Sequence, residues 1–256
     1  MRTERRRARW WAVVAVGAGG AVLVGTAIAA DPGAGPEVQS VTAQSPVTAA
    51  QTPAVTERPP AVEQERQEPS SVVFLGDSWT AGYGASDRHG YPELTGEALG
   101  WDYDVLGVGG SGYTLVGGGG AGSTYAERIG QALATGSDVI VVQGSLNERI
   151  GEPGALAPAA RDTLARLAAQ KDADTRVLVL GASYNPGTPA GTIDDINDDI
   201  EAAADAAGLR FVDVAAQNWT DPADPTIWFD PIHPNDAGHR LIADRLAELL
   251  RDLAEH

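Results

Sequence analysis

Aliphatic runs too short to be buried helices recur along the chain, separated by stretches with helical periodicity. VVFLG at 72–76, DVIVVQ at 138–143 and RVLVLG at 176–181 are almost uniformly apolar, and weaker runs lie at 103–108 and 209–214. A strand with one face in water alternates polar and apolar residues, whereas a continuous run suits a strand covered on both faces. Amphipathic stretches at 92–99, 123–135, 154–170, 193–207 and 235–253 follow these runs. The second of them, STYAERIGQALAT, opens on a serine suited to cap a helix, and Ile193, Ile196 and Ile200 share one face of the fourth. This alternation predicts right-handed crossovers and a mainly parallel, five-stranded sheet, a three-layer α/β/α sandwich. Ligands of such sheets bind beyond the carboxyl ends of the strands, so functional residues are expected just after each run.

The first 70 residues do not share this pattern. Residues 1–9 carry five arginines against one glutamate, and an apolar segment follows to Ala30, ending in Ala-Ile-Ala-Ala. That is the layout of a cleaved signal peptide, and the segment is also long enough for an uncleaved membrane anchor. An Arg6-Arg7 pair hints at twin-arginine export, but the residues after it do not complete that pattern. Residues 31–70 are rich in Pro, Ala, Val, Thr, Gln and Glu without apolar periodicity, and read as a tether that buries no core. The folded domain is expected over 71–256, outside the cytoplasm, touching the membrane only through the N-terminal segment.

There is no cysteine, which excludes a disulfide framework and thiolate chemistry. Without residues 1–30 the chain holds 13 basic and 34 acidic residues, a net charge of −21. A surface that acidic repels nucleic acid and anionic headgroups. A monomer with a small-molecule or glycan-linked substrate is the expectation.

Beyond the strand ends lie four polar elements. Asp77-Ser78 follows the first run, and Gly107-Val108-Gly109-Gly110-Ser111-Gly112-Tyr113 the second. Gly144-Ser145-Leu146-Asn147-Glu148 follows the third, and a loop past the fifth ends in Asp230-Pro231-Ile232-His233-Pro234-Asn235. Each alone suits an ordinary turn or cap. Together they suffice for acyl transfer. A serine hydroxyl needs a base to take its proton. His233 is the histidine past a strand end with a carboxylate at short spacing, and Asp230 three residues earlier can orient its ring towards Ser78. The Ser78 N–H, displayed at the start of a helix, a glycine N–H of the second loop and the Asn147 amide can hold the developing oxyanion.

GDSWTAGYG, the glycine-rich second loop, an Asn after the third strand and DPIHPN, in that order, resemble the four motif blocks of the SGNH (GDSL-type) hydrolases. The resemblance spans 71–256. It implies a flavodoxin-like fold, Ser78 as nucleophile, Asp230 and His233 as its partners, and an oxyanion hole of Ser78, Gly112 and Asn147. Gly109 and Gly110 are the alternatives to Gly112. It implies no cofactor and no metal. The family's third block usually reads Gly-x-Asn-Asp; here Ser145 and Glu148 flank Asn147 at the Gly and final Asp positions. The expected activity is hydrolysis of short-chain or acetyl esters. Acyl transfer to or from an envelope glycan and non-catalytic glycan binding are the other readings.

Several further features receive no role. The run Gly117 to Gly122 lacks the Lys-Ser or Lys-Thr of a phosphate loop and is expected at the pocket rim. Asp230, His233, Asp236 and His239 recur at three-residue spacing, but His239 is expected to face away on the last helix, which disfavours a metal site. His89 is expected on a surface turn. Trp79, Tyr83, Tyr113 and Tyr184 suit a core as well as a cleft.

Overall fold

The computed structural model describes residues 69–255. The segment 1–30 and almost all of the linker 31–70 lie outside them, with the export and anchoring expectations they carry. Five strands form one parallel sheet: β1 (Ser71–Gly76), β2 (Asp102–Gly107), β3 (Val139–Gln143), β4 (Arg176–Leu180) and β5 (Arg210–Val212), in the order β2-β1-β3-β4-β5. Five α-helices connect or follow them: α1 (Tyr91–Leu99), α2 (Tyr125–Ala134), α3 (Leu156–Gln170), α4 (Ala190–Ala206) and α5 (Asp236–Glu255). The strand order is that of flavodoxin-like sheets.

Successive residues of each strand enter opposite cores, as the two-residue period of a strand requires. Val73, Leu75, Ile140, Val142, Val177 and Val179 pack with α2, α3 and α4, through Ile129, Leu164, Ile193 and Ile200 among others. Val72, Phe74, Val139, Val141, Leu178 and Leu180 pack with α1 and α5, through Tyr91, Ile242, Leu246 and Leu250. Burial of each such side chain contributes about 1.5–3 kcal/mol. This is the two-sided cover that the uniform apolar runs require.

Boundaries shift where side chains compete for backbone groups. The α2 cap is Thr124 rather than Ser123: its hydroxyl accepts the Glu127 N–H, and Glu127 accepts the Thr124 N–H at 2.7 Å. The fifth run pairs with β4 over three residues only, because Asp213 turns the chain by accepting the N–H groups of Ala215 and Ala216. Asn235 caps α5 rather than joining it, its side-chain oxygen Oδ1 accepting from the N–H groups of Ala237 and Gly238. Among the described residues no helix is long and apolar enough to cross a membrane.

The chain runs from β1 outwards to β2, then back across β1 to β3. The ends of β1 and β3 therefore flank the point where the strand order reverses, and the residues after them face one crevice.

Candidate active site

Strand β1 ends at Gly76, where any side chain would collide with Thr80. The next residues form successive turns, not the helix expected from sequence: Ala81 N–H reaches Asp77 O, Gly82 N–H reaches Trp79 O, and Tyr83 N–H reaches Ser78 O. Gly82 and Gly84 take positive φ values of 66° and 92°, which ends any helical path. The buried Asp77 carboxylate accepts the Trp79 N–H at 2.9 Å. Ser78 thus sits in a braced turn, largely buried. Its own N–H has no acceptor among the described residues.

The Ser78 hydroxyl lies 3.0 Å from Nε2 of His233. Nδ1 of the same ring lies 3.0 and 2.9 Å from the two oxygens of Asp230. With Nδ1 donating its proton to Asp230, Nε2 is left as the acceptor of the serine proton. Asp230 and His233 are held by their own loop. Asp230 Oδ1 also accepts the N–H groups of Ile232 (2.7 Å) and His233 (2.8 Å), and a bridge between Trp228 and Pro234 closes the loop at its base. Burial alone would raise the Asp230 pKa. The hydrogen bonds from the His233 ring and these two amides outweigh it and hold Asp230 below its ordinary value, so it stays ionised beside the imidazole.

Asn147 lies in a short 3-10 turn, Leu146–Ile150, after β3, with Ser145 accepting its N–H. Its amide nitrogen donates to Ser111 O at 2.9 Å and reaches Asp77 Oδ2 at 3.4 Å. The second contact is long and leaves one amide hydrogen weakly held beside the serine turn. Ser111 is a junction: its carbonyl also accepts from Ser145 Oγ, and its hydroxyl accepts from Arg128 at 2.7 Å. Glu148, at the position where the motif usually has Asp, accepts both the N–H and the hydroxyl of Thr114.

Gly112 spends both of its backbone groups near its own loop. Its N–H donates to Leu115 O at 2.9 Å, its carbonyl accepts from Tyr125, and a Cβ there would meet Glu148 and Ser145. Gly109 is the glycine beside the serine: a Cβ there would lie 3.9 Å from that of Ser78, and its N–H has no acceptor among the described residues. Gly117 folds the loop back, its φ of 69° bringing Gly118 N–H onto Gly109 O.

Sequence reasoning missed Arg128. On α2 it would pass for a polar-face residue, yet it is almost wholly buried and donates to the carbonyls of Gly76 (3.0 Å) and Leu106 as well as to Ser111. It ties together the ends of β1 and β2 and the loop beyond. Burial pushes the neighbouring Asp77 up to about 7, against the amide of Trp79 and the charges of Arg128 and Arg149. His239 is buried under the site, accepting from Tyr91 N–H through Nδ1 and donating to Tyr83 O through Nε2. Asp236 accepts from Ser86, and His89 pairs with Glu97 at the surface. Trp79 and Tyr113 belong to the core, whereas the Tyr83 ring stands 4.3 Å from that of His233. Among the described residues no group of three or more His, Asp or Glu is placed to hold a metal ion.

A sequence model of the GDSL-like lipase/acylhydrolase family matches residues 74–241. A GDSL lipase of Mycobacterium tuberculosis is 30% identical over 192 residues, 70% of this chain and 80% of that protein. The fold is shared with a Lactobacillus plantarum protein (TM-score 0.60, 22% identity, 73% of this chain and 98% of that one). It is shared also with an aryl esterase of Mycobacterium smegmatis (TM-score 0.57, 17% identity, 72% and 99%). A carbohydrate acetylesterase of Sinorhizobium meliloti is similar at a TM-score of 0.57, 16% identity, 72% and 99%. The family match spans the strand ends that carry Ser78, Asn147, Asp230 and His233, and the chain belongs to the GDSL-like lipase/acylhydrolase family, the SGNH hydrolases, as a carboxylic ester hydrolase.

Proposed function

We propose that the protein is an exported, monomeric serine esterase acting on short acyl esters through an acyl-enzyme. The observation that carries this is the unbroken line from Ser78 Oγ through the His233 ring to Asp230, with contacts of 3.0 and 2.9 Å. His233 takes the serine proton as Oγ attacks the ester carbonyl, then delivers it to the departing alcohol. In the second half it takes a proton from water, which releases the acid and restores Ser78. Asp230 stays ionised and stabilises the imidazolium formed each time.

The oxyanion takes hydrogen bonds from the Ser78 N–H, the Asn147 amide and a second-loop N–H. For the last we assign Gly109, whose N–H is unused and beside Ser78, over Gly112, whose N–H is spent inside its loop. The reaction as written uses no metal or cofactor. Arginine-rich residues 1–9 ahead of an apolar segment support export. Among the described residues the connections carry no long lipid-binding insertion, which supports small acyl groups. A panel of acyl chain lengths on one alcohol, run beside Ser78→Ala, tests this: activity should be highest for acetyl to butyryl and absent in the variant. A preference for long acyl chains contradicts the acyl assignment.

A further inference from the structure

We infer that Tyr83 and Phe229 form the wall against which the alcohol portion of the ester lies, and that this wall favours an aromatic alcohol. The inference rests on the serine-esterase reading above. When the tetrahedral intermediate collapses, the bond between carbonyl carbon and leaving oxygen breaks and the carbonyl re-forms on acyl-Ser78. The proton that His233 took from the serine passes from Nε2 to the leaving oxygen. That oxygen must lie within about 3 Å of Nε2. Whatever the oxygen carries therefore lies beside the imidazole.

An aromatic ring, Tyr83, stands against the imidazole, and a second, Phe229, packs on Tyr83. The Tyr83 ring centroid is 4.3 Å from that of His233, tilted by 47°, and the Phe229 ring meets Tyr83 edge-on at 5.9 Å. Phe229 is 60% exposed although it directly precedes Asp230. Single exposed apolar residues are ordinary, but their distribution here is not. Val116, Ile150 and Phe229 are the exposed large hydrophobic residues among those described. All three lie on site loops: Val116 bridges to Ser111, Ile150 ends the Asn147 turn, and Phe229 adjoins Asp230.

The wall is also rigidly built. Tyr83 is held through its N–H by Ser78 and through its carbonyl by His239 at 3.0 Å, and the Arg88 guanidinium lies 4.7 Å over its ring. Asp87 and Arg88 keep this loop at φ values of 54° and 58°, a strained path for non-glycine residues, fastened by Ser86 to Asp236. Gly84 packs so closely that a Cβ would lie 2.1 Å from Pro234 O and 3.0 Å from Phe229 Cβ. An aryl group entering this corner would gain edge or offset contacts that a small alkyl group does not make.

The test compares phenyl acetate with ethyl acetate in the full-length chain and in Phe229→Ala, Phe229→Tyr, Ile150→Ser and Ser78→Ala. Both esters form the same acetyl-enzyme, so kcat/KM reports binding and acylation, through departure of the alcohol, and leaves out the shared deacylation. Phe229→Ala should lower kcat/KM for the phenyl ester about tenfold and that for the ethyl ester less than about twofold. Phe229→Tyr and Ile150→Ser should keep the wild-type ratio. Equal losses for both esters in Phe229→Ala, or no loss for either, overturn the inference and leave the esterase reading standing. If neither ester is cleaved in a Ser78-dependent way, the esterase reading falls and takes this inference with it.

Discussion

The carboxylate of Glu148 accepts both the N–H and the hydroxyl of Thr114, binding the loop after β3 to the loop after β2. Glu148 follows Asn147, and Thr114 lies three residues past Ser111, whose carbonyl orients the Asn147 amide. The clamp therefore fixes the distance between the two loops to which we assign oxyanion donors.

Glu148→Ala should cost about 1–3 kcal/mol of stability, because Thr114 loses a charged acceptor. Its kcat should fall by about tenfold or more while KM changes little, as expected for a group that positions donors used only in the transition state. Glu148→Gln, which can still accept from Thr114, should recover most of the rate. Urea unfolding and steady-state kinetics read the two effects separately; a loss of stability without loss of kcat would reduce Glu148 to a structural brace.

Arg128 holds the ends of β1 and β2 through the carbonyls of Gly76 and Leu106 and through the Ser111 hydroxyl. Arg128→Met keeps much of the apolar stem but removes the charged donor from these buried groups, leaving Gly76 O with the Val108 N–H and the Ser111 hydroxyl with Val108 O. The expected destabilisation is about 3–5 kcal/mol, measured by urea unfolding. A change below about 1 kcal/mol would mean that water replaces the guanidinium at these carbonyls.

Asp77 adds a pH dependence of unusual sign. Burial raises its folded pKa from 3.8 to about 7, so between these values the folded chain binds more protons than the unfolded one. Its contribution to stability is full below pH 3.8 and is lost as pH rises through about 7. Asp77→Asn carries no such charge. The stability of the variant relative to wild type should therefore rise between about pH 4 and pH 7 and level off above. Parallel pH profiles for the two proteins would contradict burial as the dominant influence on Asp77.

The second-loop oxyanion donor can be tested one N–H at a time by replacing a backbone amide with an ester. Removing the Gly109 N–H should lower kcat by about 100- to 1,000-fold with little change in stability. Removing the Gly112 N–H should instead weaken the loop bond to Leu115 and show mainly in unfolding. The reverse pattern would return the role to Gly112. Separately, Gly112→Ala should destabilise the loop by about 1–3 kcal/mol, since the new methyl meets Glu148 and Ser145.

The sheet was legible in the sequence because its strands are buried on both faces, and burial leaves a mark in composition: Val72 to Leu75 and Val139 to Val142 have nothing polar among them. Asp230 and His233 were legible as a pair because both lie in one short turn stiffened by Pro231 and Pro234. The choice between Gly109 and Gly112 was not. Whether a backbone N–H is free depends on the dihedrals of its neighbours, and a glycine-rich loop does not disclose them. Arg128 and His239 were hidden for a related reason. Their partners are mostly backbone groups, Gly76 O, Leu106 O, Tyr91 N and Tyr83 O, and no side-chain pattern announces those. Tyr83 and Phe229 meet only because the β1 turn and the Asp230 loop converge on His233, a contact between segments far apart in the chain.

The central claim is that Ser78 forms the acyl-enzyme under the control of His233 and Asp230. The most direct measurement is labelling of the full-length chain with a fluorophosphonate, followed by identification of the modified residue, beside hydrolysis of p-nitrophenyl acetate. Wild type should be labelled at Ser78 alone. Ser78→Ala should take no label and lose at least about 1,000-fold in turnover with its unfolding curve unchanged, and Asp230→Asn should lose about 10,000-fold. Labelling at any other residue, or turnover by Ser78→Ala within tenfold of wild type, would contradict the account.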